Sequence, residues 1–113
     1  MLPSAYRLHR EQDINRLYKR ALVKGDGELV MYSAPNRLRQ SRFVIVTPKK
    51  VGKAHDRNRL KRMLKASILL QLRQIVNGYD IVVHVKPQRL DKHRQEMDVQ
   101  LRQLLQRSNL WTS

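Results

Sequence analysis

Residues 79 to 86 read YDIVVHVK, a nearly unbroken apolar run that Pro87 brings to a stop. A strand of this composition has to be buried on both faces or hold a central place in a sheet, and proline cannot prolong it, having no N–H for a ladder. Whatever else the chain does, it must build a sheet around this strand and cover it. The cover lies just upstream, where Leu60, Leu64, Ile68, Leu72 and Ile75 recur every three or four residues. That spacing predicts a helix from about Asp56 to Val76, with Asn77-Gly78 as its left-handed stop.

Two further strands are expected, ELVMYSA from Glu28 to Ala34 and RFVIVT from Arg42 to Thr47, joined by a loop over 35–41 and read as antiparallel neighbours. Pro48 ends the second or puts it at an edge. A first helix from Glu11 to Val23 presents Ile14, Leu17, Tyr18, Ala21 and Leu22 on one face, and Gly25-Asp26-Gly27 ends it. Asp91 can cap a last helix whose stripe is Met97, Leu101, Leu104 and Leu105. With no internal repeat or long linker, this order predicts an α+β fold: one domain over residues 1–113, a single sheet with helices on one side. The ends, 1–5 and 108–113, are expected to fray, with Leu110 and Trp111 docking back.

The charge balance narrows the partners. Of 113 residues, 24 are Lys or Arg and 9 are Asp or Glu, a formal net charge of +15 that repels itself and draws polyanions. Nucleic acid leads, and an anionic membrane is the lesser candidate. The absence of cysteine excludes disulfides, thiolate nucleophiles and cysteine-based zinc sites. MLPSAYRLHREQD has no apolar signal core, and FVIV and IVV are far too short to span a bilayer, so a soluble cytoplasmic protein is expected.

Eight of the cations fall within KKVGKAHDRNRLKRMLK, residues 49 to 65, where a helix begins. A helix N-terminus is already the positive end of the macrodipole and carries N–H groups with no intrahelical partner. Cations there cost roughly 0.3 to 1 kcal/mol each when exposed, and a bound polyanion removes the conflict by pairing with them and accepting the unused N–H groups. At about 100° per residue, Arg59 and Arg62 fall opposite the leucine stripe, with Asn58 and Lys65 on the flank. Arginine outnumbers lysine 15 to 9; guanidinium forks phosphate and stacks on bases, and Asn58 can bond a base edge or a sugar hydroxyl. Folded RNA suits this face better than a membrane does.

The run FVIVTPKKVGKAHDRNRLKR resembles the signature region of the bacterial ribonuclease P protein subunit, whose hallmark is a lysine-rich strand end, a glycine-containing loop and a helix opening with R-N-R-x-K-R. YRL at residues 6–8, VMY at 30–32, YDIVVHVKP at 79–87 and a final amphipathic helix follow the family's order, so the resemblance covers nearly the whole chain. It implies the small protein partner of a catalytic RNA that removes the 5′ leader of precursor tRNA, with Mg2+ held mainly by the RNA and no catalytic or metal-binding residue in the protein. The implied partners are the RNA subunit and precursor tRNA, with no membrane and no obligate protein partner. The implied fold is a two-layer α/β sandwich, shared with a domain of a small-subunit ribosomal protein, with a left-handed βαβ crossover that handedness rules alone would reject.

By the same resemblance, Lys49, Lys50, Lys53, Arg57, Asn58, Arg59, Lys61, Arg62 and Lys65 face the RNA subunit. Tyr18 and Tyr32, with Ile14, line a cleft for the single-stranded leader. Ile14 stands where an aromatic is common, Ala66 where an acid often follows, Pro48 for a serine and His55 for a small apolar residue. Outside this pattern the residues offer little chemistry. His9, His55, His84 and His93 have no metal or catalytic spacing, Gly25-Asp26-Gly27 reads as a turn, and Asp13, Asp80 and Asp91 read as cap or edge residues. A general basic RNA-binding or ribosome-associated protein is the alternative; an intrinsic nuclease lacks an acid–base or metal set.

Overall fold

The computed structural model describes residues 3–8 and 10–112, so His9 lies outside it. Its elements are α1 (Glu11–Arg20), β1 (Leu22–Gly25), β2 (Leu29–Pro35), β3 (Arg42–Val46), α2 (Ala54–Gln71), β4 (Tyr79–Val85) and α3 (Arg94–Arg107), with single 3-10 turns at Ser4–Tyr6, Lys49–Val51 and Leu72–Gln74. The strands form one four-stranded sheet in the order β1-β2-β4-β3. The apolar run is therefore an inner strand, antiparallel to β2 with Tyr32 opposite Val82, and parallel to β3 with Val44 opposite Val82.

That placement corrects the expected pairing of β2 with β3. They are not neighbours, because β4 enters between them and uses both of its edges. The connecting loop is fastened to the entry of β4: the Ser41 hydroxyl donates to the Val76 carbonyl at 2.7 Å and accepts the Tyr79 N–H at 3.0 Å, while the Asn36 N–H donates to the Gly78 carbonyl at 2.8 Å. β3, α2 and β4 form a parallel crossover unit.

The first helix is shorter than its apolar spacing suggests. It ends at Arg20, Ala21 turns extended at ψ 144°, and 22–25 form β1 against β2. Hairpin chemistry overrides the helical pattern here: Asp26 Oδ1 accepts the N–H groups of Glu28 and Leu29 at 2.9 and 2.8 Å, and Gly27 takes φ 91°. α2 likewise stops at Gln71. Ile75 leaves the helix, stays buried, and bridges to Trp111. Gly78 has the left-handed φ of 90°, but it serves the entry to β4 and not the helix end. α3 starts at Arg94 behind His93, with no side-chain cap; Asp91 is exposed and pairs with Arg89 at 3.3 Å instead.

Alternation along the strands divides the core in two. Odd-numbered residues such as Met31, Phe43, Ile81 and Val83 meet the Leu60, Leu64, Ile68 stripe of α2 and the Met97, Leu101, Leu104 stripe of α3. Even-numbered residues, Ala34 and Val82 among them, meet Leu8 and Leu17, with Ile14, Tyr32, Val44 and Val46 packed around. Helices thus lie on both faces, correcting the expectation of one: α2 and α3 form a layer, and α1 crosses the other side. Leu110 and Trp111 dock back as expected: Leu110 is buried, and the Thr112 N–H donates to the Gln74 carbonyl at 2.7 Å.

Candidate nucleic-acid interface

The cationic stretch folds into two short pieces. Lys49–Val51 makes a 3-10 turn, Gly52 follows at φ 159°, ψ −169°, and α2 begins at Ala54. Side-chain-bearing residues rarely adopt that Gly52 geometry, and it points the chain directly into the helix. Lys53 occupies the cap position and no side chain caps the first turn. The first-turn N–H groups therefore stay open for an anion, next to exposed Lys49, Lys50, Lys53 and Asn58 and, a turn further on, exposed Arg62 and Lys65.

The three remaining positions of the motif are half-buried. Arg57 Nη1 reaches back to the Gly52 carbonyl at 3.3 Å. Lys61 lines a depression of about 280 Å3 at the outer edge of β3, together with Arg7, Ile14, Val44 and Lys65. Arg59 departs from its expected outward orientation: Nη1 donates to the Leu90 carbonyl at 2.8 Å and Nη2 to that of Lys92 at 2.7 Å. On the flank facing α3, Arg62, Lys65 and Ala66 border a groove of about 540 Å3 with Leu69, Leu70 and Arg94. Ala66 thus opens apolar floor where the family often has an acid.

The second region lies between α1 and the even-numbered face of the sheet. Tyr18 and Tyr32 meet edge to face, ring centroids 5.0 Å apart, and His84 completes the cluster at 6.0 Å from Tyr18 and 5.6 Å from Tyr32. The Tyr18 hydroxyl lies 2.9 Å from His84 Nε2. Burial, with the charge of Lys86, pushes the His84 pKa below its ordinary value. Burial, then the neighbouring Tyr32 phenol, raises that of Tyr18. Both rings are therefore neutral near pH 7 and suited to stacking on bases. One turn before Tyr18 on α1, Ile14 faces the β3-edge depression, which it shares with Lys61 and Lys65. The fold thus brings Ile14, of the set expected at the leader, beside Lys61 and Lys65 of the motif along β3.

His84 carries more than its place in the sequence suggests. Its signal is register: Val82 and His84 share a strand face, and only the pairing of β2 with β4 shows that Tyr32 shares it too. Asp80 likewise departs from the expected cap or edge role. It is buried in the inner strand and takes Arg42 in a two-pronged pair, at 2.9 and 2.7 Å, with Asn36 Nδ2 at 2.9 Å. The pair raises the Arg42 pKa, chiefly through the Asp80 hydrogen bonds. His55 and His93 are exposed. Among the described residues no group of three or more His, Cys, Asp or Glu could hold a metal ion, and no helix is long and apolar enough to cross a membrane.

Comparison with known proteins agrees with this geometry. Residues 2–109 match the family model Ribonuclease P. A ribonuclease P protein component of Clostridium kluyveri is 31% identical over 108 residues, covering 94% of this chain and 96% of that one. One from a Roseiflexus species is 41% identical over 78 residues, 69% of this chain and 64% of that protein. The RNase P protein of Staphylococcus aureus superposes with a TM-score of 0.86 at 25% identity, covering 96% of this chain and 99% of that one. That of Thermotoga maritima gives 0.82 at 28% identity, covering 89% and 96%.

Proposed function

The chain belongs to the ribonuclease P protein family, and from that premise we propose how its two faces serve tRNA 5′ processing. It is the protein subunit of ribonuclease P, whose partners are the RNA subunit and precursor tRNA. In this reading the open N-terminus of α2 and the exposed Lys49, Lys50, Lys53, Arg62 and Lys65 dock on the RNA subunit. Tyr18, Tyr32 and Ile14 take the single-stranded leader in the cleft under α1. The observation that carries the assignment is the uncapped α2 start ringed by cations, an arrangement that ordinary helix chemistry disfavours and a phosphate backbone stabilises.

The protein's part is binding and positioning; hydrolysis belongs to the RNA. The donor set does not fit a resident Mg2+ in the protein. Among the described residues the acids are dispersed, with Asp80 and Asp13 beside Arg42, Glu28 on Lys92, and Glu96 and Asp91 on Arg89. In this reading the divalent metal of the holoenzyme is held by the RNA, and the cytoplasm is the compartment where both meet precursor tRNA. Incubating precursor tRNA with the protein, the RNA subunit, or both, at low magnesium, tests this. The mixture should cleave faster than RNA alone, and the protein alone should not cleave. Cleavage by the protein alone, or no stimulation of the RNA, overturns it.

A further inference from the structure

Arg59 sits in the middle of the RNR helix start, yet its guanidinium is turned along the protein. Two of its nitrogens donate to carbonyls of one loop, Leu90 at 2.8 Å and Lys92 at 2.7 Å. This is the fork geometry that makes arginine different from lysine, spent here on backbone and not on phosphate.

The loop, residues 86–93 between β4 and α3, has two further attachments. Lys92 is buried with its ammonium 2.6 Å from both Glu28 Oε1 and Gln88 Oε1, and it also bonds Gln100, which anchors the loop to the β1–β2 hairpin and to α3. At its other side Leu90 lies against the lysine turn: a Cβ built on Gly52 would meet Leu90 Cδ1 at 3.5 Å. Arg59 therefore closes a ring that runs from α2 through the loop to Gly52 and back along the chain to α2. The ring sets where Lys49, Lys50 and Lys53 stand relative to Arg62 and Lys65, whose side chains make no hydrogen bond or ion pair among the described residues.

We propose that Arg59 is a positioning residue, which acts on RNA binding by holding the β4–α3 loop against the lysine turn and not by pairing with a phosphate of its own. Without the fork, the loop and the turn lose their common support, and the exposed cations no longer present one fixed surface. This rests on the reading that the protein binds the ribonuclease P RNA. If the unaltered protein fails to bind that RNA, that reading fails first, whatever Arg59 does.

The test compares Arg59→Ala and Arg59→Lys with Arg62→Ala, measuring affinity of folded protein for the RNA subunit across a salt series and hydrogen exchange of the 86–93 amides. Both Arg59 variants should weaken binding on the order of tenfold with the log–log salt slope unchanged, and both should speed exchange in the loop. Lysine keeps the charge but cannot span two carbonyls, so it should not rescue. A slope lowered by about 0.7 to 0.9, the signature of a single phosphate no longer neutralised, with rescue by lysine, overturns the proposal. So does affinity that stays unchanged once the folded fraction is accounted for, which would make Arg59 a stability residue only. If Arg59→Ala does not fold, Arg59→Lys decides alone.

Discussion

The Tyr18 hydroxyl stands 2.9 Å from Nε2 of His84, linking α1 to the inner strand of the sheet. With the imidazole neutral and its proton on Nδ1, the hydroxyl donates to Nε2. Burial, helped by Lys86, holds the His84 pKa below its ordinary 6.5. Above that value the folded and unfolded chains both carry neutral His84. Below it the unfolded chain gains a proton that the folded chain resists, so stability falls as pH drops from 6.5 through the depressed folded value and then levels off. Thermal melts between pH 7.5 and pH 4, each about half a unit apart, should show this step in the native sequence and lose it in His84→Gln. Exposed His55 and His93 remain in both and serve as the control.

The aromatic cluster makes a separate prediction about substrate. Tyr18→Ala or Tyr32→Ala removes a stacking surface worth roughly 1 to 3 kcal/mol per base, so the holoenzyme should bind precursor tRNA about 5 to 150 times more weakly. Mature tRNA, which has no leader, should bind as before. Titration of both tRNAs against each variant separates the cases, and equal weakening of the two would assign the tyrosines to packing alone.

Why these features differ in how far the sequence reveals them is a matter of interaction range. The α2 stripe, the inner position of β4 and the cationic KKVGK-to-RNR stretch follow from periodicity and local charge, and the structure has all of them. The hairpin at Asp26-Gly27 is local too, but Ala21 and Leu22 continue the apolar spacing of α1 and mask it. Arg59 and His84 are beyond local reading. Arg59 bonds residues 31 and 33 positions away, and His84 meets Tyr18 across 66. Buried Lys92 is a third such case, since nothing next to it in sequence announces Glu28, its partner 64 positions away.

That partner sets the acid limit of the hairpin. The Lys92 hydrogen bond is the chief cause of a Glu28 pKa below the ordinary 4.5, with Gln100 adding to it. A carboxylate depressed in the folded state contributes stability above its unfolded pKa and loses it as pH falls through the folded value. Glu28→Gln should therefore lower the Tm near neutrality and flatten the melting curve series below pH 4.5. Lys92→Met, which removes the buried ammonium instead, should share the flattened acid limb, because Glu28 then has no cation to hold its proton off.

Arg62 provides the counterpart to Arg59 on the same helix. Its side chain is exposed, stands apart from the Leu60, Leu64, Ile68 stripe, and makes no hydrogen bond or ion pair among the described residues. Removing it costs the fold little: Arg62→Ala should change stability by no more than about 0.5 kcal/mol, as surface substitutions do. If Arg62 meets a phosphate of the RNA subunit, its removal lowers the log–log salt slope by about 0.7 to 0.9, the share of one neutralised phosphate. Arg62→Ala should therefore bind more weakly at low salt and converge on the native curve as salt rises, and adding Lys65→Ala should roughly double the change in slope. A fall in Tm with an unaltered slope would mean that this face is built for the fold, and the docking surface would then have to be sought around Lys49, Lys50 and Lys53.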